Sequence, residues 1–395
     1  MWSDGKRTSW IIAAALFFLL AAAGDGQIIE NPAKPKAANA GRVITPQEVL
    51  VISDAGTSDY YFKWPHALAA GPDGSLLLLD VEQVLRFSQN GRFLGNLFKK
   101  GQGPGEIGNA SACLAVGPRL VIHSPRPNKL VYFDSSGKFE KELPVRRDEQ
   151  DFLRALFFQS PAVYMKSTEF PRTSGNPDIV DRSETIIAVD AATAEARTLA
   201  TFVTKAFVVT GGGGAGMIDI VNLIVAPFQD RLIAVVHTED YLIKIFEPSA
   251  NKVVRGFRRA YPRVKGEPLT EAEKKGGIII NDKHYTRPER KFENDVKNLL
   301  TRAGEIWAVT STKDQVKGLL IDVFDGEGVY RDCFWLKLPE PALGSVQSPG
   351  QCALDGQFLW VVERAEDETF SIKKYGVASS QARGTVPLRG QSPAI

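Results

Sequence analysis

An all-β fold, a six-bladed β-propeller, is predicted by three observations on this chain. A unit of short apolar strands recurs at a period of roughly 40 to 50 residues. Each copy is punctuated by Gly, Asp or Asn at its turns. The last copy stops one strand short, and the run Val49-Leu50-Val51-Ile52 before the first copy can supply that strand. Both ends of the chain would then close the ring and leave only short, protected edges.

The first copy is the most regular. Pro65-His66-Ala67-Leu68-Ala69-Ala70-Gly71 leads into Ser75-Leu76-Leu77-Leu78-Leu79-Asp80, then Val84-Leu85-Arg86-Phe87 and the turn Gln89-Asn90-Gly91. Cys113-Leu114-Ala115-Val116-Gly117, Leu120-Val121-Ile122-His123 and Leu130-Val131-Tyr132-Phe133 repeat it. Later copies centre on Ala162 to Met165 with Thr185 to Asp190, Leu232 to Val236 with Tyr241 to Phe246, and Ile306 to Val309 with Leu319 to Asp325. Phe358 to Val362 with Phe370 to Tyr375 makes the sixth. Short apolar runs between turn residues suit strands buried between stacked sheets.

Some stretches depart from the repeat. Pro262 to Leu300 is a charged insertion in which Thr270-x-x-Glu273 and Thr286-x-x-Glu289 have capping-box spacing. Phe292, Val296 and Leu299 or Leu300 follow at helical spacing, so one or two short helices are predicted before blade five. Phe170 to Glu184 reads as an extended loop in the third blade. The run Gly211 to Gly216 lacks the Lys-Ser or Lys-Thr of a phosphate loop and reads as a flexible connection. Gln27 to Ala40 and Gln381 to Ile395 read as loose tails.

Lys6 and Arg7 precede an apolar run from Trp10 to Leu20, followed by Ala21-Ala22-Ala23. That is the pattern of a secretory signal peptide, with an apolar stretch shorter than the ~20 residues of a spanning helix. The expected organisation is a signal peptide over 1–23, a linker over 24–42, the propeller over 43–377 and a tail over 378–395. The mature protein is expected in the periplasm or outside the cell, a monomer with no membrane insertion. Cleavage after Ala23 takes basic residues from 48 to 46 and acidic ones from 46 to 45, leaving a net charge of +1. So balanced a chain gives no electrostatic case for nucleic acid. Cys113 and Cys352 fall, with Ala67, at one repeat position on the inner strands, where small buried residues fit converging blades.

With these residues in view, the chain resembles the NHL-type six-bladed β-propellers and the secreted bacterial six-bladed β-propeller family. The likeness rests on Pro65 through the Gly71 turn and Asp80 to Phe87-Ser88-Gln89-Asn90-Gly91. Gly101-Gln102-Gly103-Pro104-Gly105-Glu106-Ile107 is also similar to a segment of the secreted family, with Ile107 where Phe is usual. The resemblance implies a propeller fold and export. It brings no assigned activity.

Loops that lead into first strands and leave second strands should open on one face. His66, His123 and His237 fall at such positions and could ligate zinc, as the resemblance to NHL-type amidating lyases implies; structural or solvated histidines are the plain alternative. The same face would receive Asp80, Glu82, Glu239, Asp240 and Glu363, with Asp314, Glu366, Asp367 and Glu368. Their carboxylates could bind a ligand or calcium, as in lactonase-like propellers, or simply face water. The expected function is a binding module for a protein, peptide or glycan on the channel face. A zinc- or calcium-dependent lyase or hydrolase at the channel mouth is the alternative.

Overall fold

The computed structural model describes residues 26–377 apart from 72, 147–151, 172–176, 212–213, 276 and 303. The expected signal peptide, the C-terminal tail and Gly212 and Gly213 therefore lie outside the described residues.

Among the described residues the chain forms six sheets of four or five strands and one small hairpin. Three N-terminal strands come first: β1 (Ile28–Asn31), β2 (Arg42–Ile44) and β3 (Gln47–Ser53). The first sheet is a meander of β4 (Ala67–Ala70), β5 (Leu76–Asp80), β6 (Gln83–Phe87) and β7 (Phe93–Asn96). The second repeats it with β8 (Ala112–Val116), β9 (Arg119–Pro125), β10 (Asn128–Phe133) and β11 (Phe139–Pro144). The third is longer: β12 (Phe152–Gln159), β13 (Ala162–Thr168), β14 (Asp178–Asp190), β15 (Ala196–Gly211) and β16 (Gly214–Val221).

The fourth sheet holds β17 (Ile224–Phe228), β18 (Leu232–Val236), β19 (Ile243–Glu247) and β20 (Lys252–Arg259), with β1 added parallel to β20. Helix α1 (Glu271–Lys275) and a hairpin of β21 (Ile278–Ile280) and β22 (Lys283–Tyr285) follow. The fifth sheet has β23 (Val296–Arg302), β24 (Glu305–Asp314), β25 (Gly318–Phe324) and β26 (Tyr330–Leu336), with β2 parallel to β26. After helix α2 (Glu340–Val346), the sixth has β27 (Cys352–Asp355), β28 (Phe358–Arg364) and β29 (Phe370–Gly376). Strand β3 pairs antiparallel with β29.

The four leucines of β5 explain how such sheets stack. All four are fully buried, because side chains alternate across a strand and both faces are covered. Leu77 and Leu79 pack with Leu120 and Ile122 of the second sheet, whereas Leu76 and Leu78 pack with Trp360, Val362 and Ile372 of the sixth. Burying each such side chain contributes about 1.5–3 kcal/mol. Equivalent apolar clusters join the second sheet to the third, the third to the fourth, the fourth to the fifth and the fifth to the sixth. The first strands touch in the order β4, β8, β12, β17, β23 and β27, and β27 touches β4. Cys113 and Cys352 sit buried on β8 and β27, and burial pushes both thiols up to about 12.

The irregular stretches differ from their expectations. Gln27 to Ala40 is not wholly a loose tail. Ile28–Asn31 covers the free edge of β20, and the Asn31 amide donates to the carbonyls of Arg258 and Gly328 while accepting from the Tyr330 N–H. A three-residue strand, β2, likewise lies at the end of the expected linker. The helical spacing through Val296, Leu299 and Leu300 belongs to a strand instead. Leu299 faces the fourth sheet and Leu300 the sixth, so adjacent residues point to opposite sides. Thr270 does open a helix, α1, of five residues, but Thr286 to Arg290 is irregular. Within the expected third-blade loop, Asp178 to Glu184 is strand, paired with Phe202 to Val208. Gly211 and Gly214 face each other as the paired ends of β15 and β16, so these described glycines of the run belong to strands rather than to a flexible connection.

Candidate functional site

The lead-in to the fifth sheet and the β18–β19 loop of the fourth lie side by side, joined by the Asp295 N–H on the Glu239 carbonyl. The histidines and carboxylates expected on this face have separate tasks. His123 is fully buried on β9, with Nδ1 2.6 Å from Ser111 Oγ and Nε2 3.0 Å from Asn128 Oδ1. Asn128 Oδ1 can only accept, so Nε2 carries the proton and Nδ1 accepts from Ser111. Burial lowers the His123 pKa to about 4, against the opposing bond from Asn128. The ring is a neutral structural member. His66, half-buried before β4, has Nδ1 3.0 Å from the Trp64 carbonyl. His237, after β18, rests on the Phe202 ring at 4.9 Å.

Among the described residues, no group of three or more His, Cys, Asp or Glu side chains is placed to hold a metal ion. The structure does not gather His66, His123 and His237, which belong to the first, second and fourth sheets. Both ring nitrogens of His123 are already engaged. The donor set therefore does not fit a zinc or calcium centre.

The acidic residues are engaged one by one. Asp80 is buried and accepts the N–H groups of Lys63, Trp64 and Val81, so it clamps the segment before β4. Glu82 pairs with Lys100, whose hydrogen bond and charge hold its carboxyl below the usual range. Glu239 lies 3.5 Å from Lys205, and Asp240 lies 3.3 Å from Arg263. Glu363 is buried against Lys373 at 2.5 Å. Asp314, Asp367 and Glu368 bond within their own turns or to Arg364.

What the face does offer is positive charge. A cavity of about 320 Å³ opens where the fourth, fifth and sixth sheets meet, lined by Asn222, Thr238, Arg290, Asn294, Lys297 and Gln347 among others. Among the described residues, no carboxylate lines it. Arg290 and Asn294 come from the segment after the β21–β22 hairpin, held across β16 by Arg290 Nη2 on the Asp219 carbonyl and Asn294 Nδ2 on the Ile220 carbonyl, both at 3.0 Å. The Arg290 Nε is buried and has no hydrogen-bond partner among the described residues. Lys297 is met by Glu293 at 2.5 Å.

Arg154, on the innermost strand of the third sheet, reaches Gly350 before the sixth. A Cβ placed on Gly350 would stand 3.2 Å from its Nη2, and the φ of +92° there also demands glycine. Arg154 is exposed to solvent, yet the surrounding protein depresses its pKa by desolvation. Among the described residues it has no hydrogen-bond or salt-bridge partner. Pro349, beside Gly350, is part of the cavity wall. Sequence reasoning passes over Arg154, although a lone charge within Leu153-Arg154-Ala155-Leu156-Phe157 is a usable signal.

No protein-family model matches the chain, and no curated protein matches it in sequence. Solved structures do. A member of the DUF4221 family from Bacteroides vulgatus superposes with a TM-score of 0.51 at 9% identity, over 87% of this chain and 100% of that one. A protein described as exported, from Bacteroides fragilis, gives 0.47 at 10% identity over 89% and 100%. A gluconolactonase from Xanthomonas campestris gives 0.42 at 13% identity over 85% and 98%. Likeness at this identity concerns the fold alone. Together with the sheet order above, it is that of a β-propeller. No helix among the described residues is long and apolar enough to cross a membrane.

Proposed function

We propose that the protein is an exported, six-bladed, NHL-like propeller that binds a ligand at the mouth of its central channel. The ring reading is supported by the unbroken succession of first-strand contacts from β4 round to β27 and back, and by β3 completing the last sheet. Export is supported by Lys6, Arg7 and the apolar run to Leu20. The observation that carries the binding reading is Arg154, a solvated guanidinium without a partner among the described residues, set beside a polar cavity. A guanidinium without a protein partner keeps its fork of N–H donors free for an incoming carboxylate or phosphate. Pockets with a few convergent polar groups are where propellers and other scaffolds take ligands.

The test is a ligand screen by thermal shift on the mature chain beside a plugged variant, Ser348→Trp, whose indole would fill the cavity. A ligand that stabilises the native chain and not the plugged one supports the reading. Ligands that stabilise both equally place binding elsewhere. N-terminal sequencing of protein recovered after export should begin at Gly24, and an intact Met1 would refute the signal peptide.

A further inference from the structure

We propose that the channel-mouth cavity takes an anionic, hydroxyl-rich small molecule, a sugar bearing a carboxylate or a phosphate. This rests on the binding reading above and names the ligand class for that site. Three observations point the same way. The described lining holds Arg290 and Lys297 and no carboxylate, and with Lys297 already paired to Glu293 behind the wall it is Arg290 that offers its charge to an anion. Arg290 spends one Nη2 donor on a backbone carbonyl and leaves a buried Nε unpaired, which a bound oxyanion would satisfy. The amides of Asn294 and Gln347 each donate through their NH2 to a backbone carbonyl, of Ile220 and of Thr310 at 2.9 Å. Each amide oxygen then remains as an acceptor, and hydroxyl groups are the uncharged donors that suit it.

Arg154 is a further cation close by, its Nη2 lying in the space a Gly350 side chain would need, next to Pro349 of the cavity wall. An amino acid fits less well, because nothing in the described lining would neutralise its ammonium. A cavity of about 320 Å³ lies at the small end of ligand pockets, suited to a monosaccharide and its waters rather than a chain.

The experiment is calorimetric titration of the mature protein with D-galacturonate, D-glucose 6-phosphate, D-galactose and acetate. The expected result is saturable binding of galacturonate, glucose 6-phosphate or both, weakened tenfold or more in Arg290→Gln and in Arg154→Gln. Galactose and acetate should each bind at least tenfold more weakly than the best anionic sugar. Which anionic sugar leads tells a carboxylate ligand from a phosphate one. Galactose binding as tightly as the anionic sugars would overturn the proposal, as would arginine variants within twofold of the native affinity. So would the absence of saturation by any anionic sugar. If galactose binding is lost in Ser348→Trp while both arginine variants retain it, the channel-mouth reading stands and the anionic class falls. Lys297→Gln, with circular dichroism on every variant, gives a second reading should Arg290→Gln fail to fold.

Discussion

The first and third sheets start from the same meander and end as different objects. In the first, strands of four or five residues place all four leucines of β5 in apolar contact with the neighbouring sheets. In the third, β14 and β15 run 13 and 16 residues and carry a polar interior. Glu184 is fully buried there, accepting from the Leu223 N–H at 2.7 Å and pairing with Lys166 at 2.7 Å and Arg182 at 3.4 Å. Arg182 is itself buried and also meets Asp219. Asp219 supplies the carbonyl that holds Arg290 at the cavity. The repeat builds the frame, and its departures build the polar ground on which a site can stand.

Removing the pivot of that polar interior should have the largest effect. Glu184→Ala leaves Arg182 and Lys166 without their buried partner and is expected to cost about 3–5 kcal/mol. Urea unfolding would measure it, and a loss below ~1 kcal/mol would mean that water already reaches those charges. The apolar counterpart, Leu78→Ala, should cost about 2–5 kcal/mol through the cavity it opens between the first and sixth sheets.

The second sheet sharpens the contrast through pH. His123 titrates near 4 when folded and near 6.5 when unfolded, so between those values the unfolded chain binds a proton the folded chain excludes. Stability from this residue is therefore complete above about 6.5 and falls as pH drops, by about 3 kcal/mol at pH 4. His123→Gln should flatten that part of the pH–stability curve. An unchanged slope would assign it to other groups. The smallest effect belongs to the exposed pair at the β5–β6 turn. Glu82→Gln, opposite Lys100, should leave the urea midpoint unchanged within error, as exposed pairs screened by water do.

Much of the frame is legible in the sequence alone. Leu76 to Leu79, Leu120 to Ile122 and Phe358 to Val362 declare buried strands because burial on both faces removes the polar alternation. The closing strand Val49 to Ile52 can be read because it is long enough to recognise. Ile28 to Asn31 cannot, since four residues carry no period and their partner begins at Gly256. Val296 to Arg302 misleads because a short apolar run satisfies strand and helix spacing alike, and only the sheets on either side decide. The site carries the opposite charge to the one its loops suggest. Acidic residues are visible in turns, but sequence does not say that Asp80 is spent on backbone N–H groups or Glu363 on Lys373. Arg154 can be noticed as a lone charge in an apolar run, whereas Arg290 stands out only once its unpaired Nε is known.

The N-terminal strands carry a consequence for the order of assembly. Residues 28–31, 42–44 and 47–53 are the first of the described chain to be made, yet they pair with the outer edges of the fourth, fifth and sixth sheets. Each must wait for a partner more than two hundred residues downstream, and contacts that distant in sequence form late and slowly. Arg258 then grips Glu30, and Arg42 grips Asp332, as successive edges are covered. The beginning of the chain thus works as a three-step latch, each step available only after another sheet has been completed.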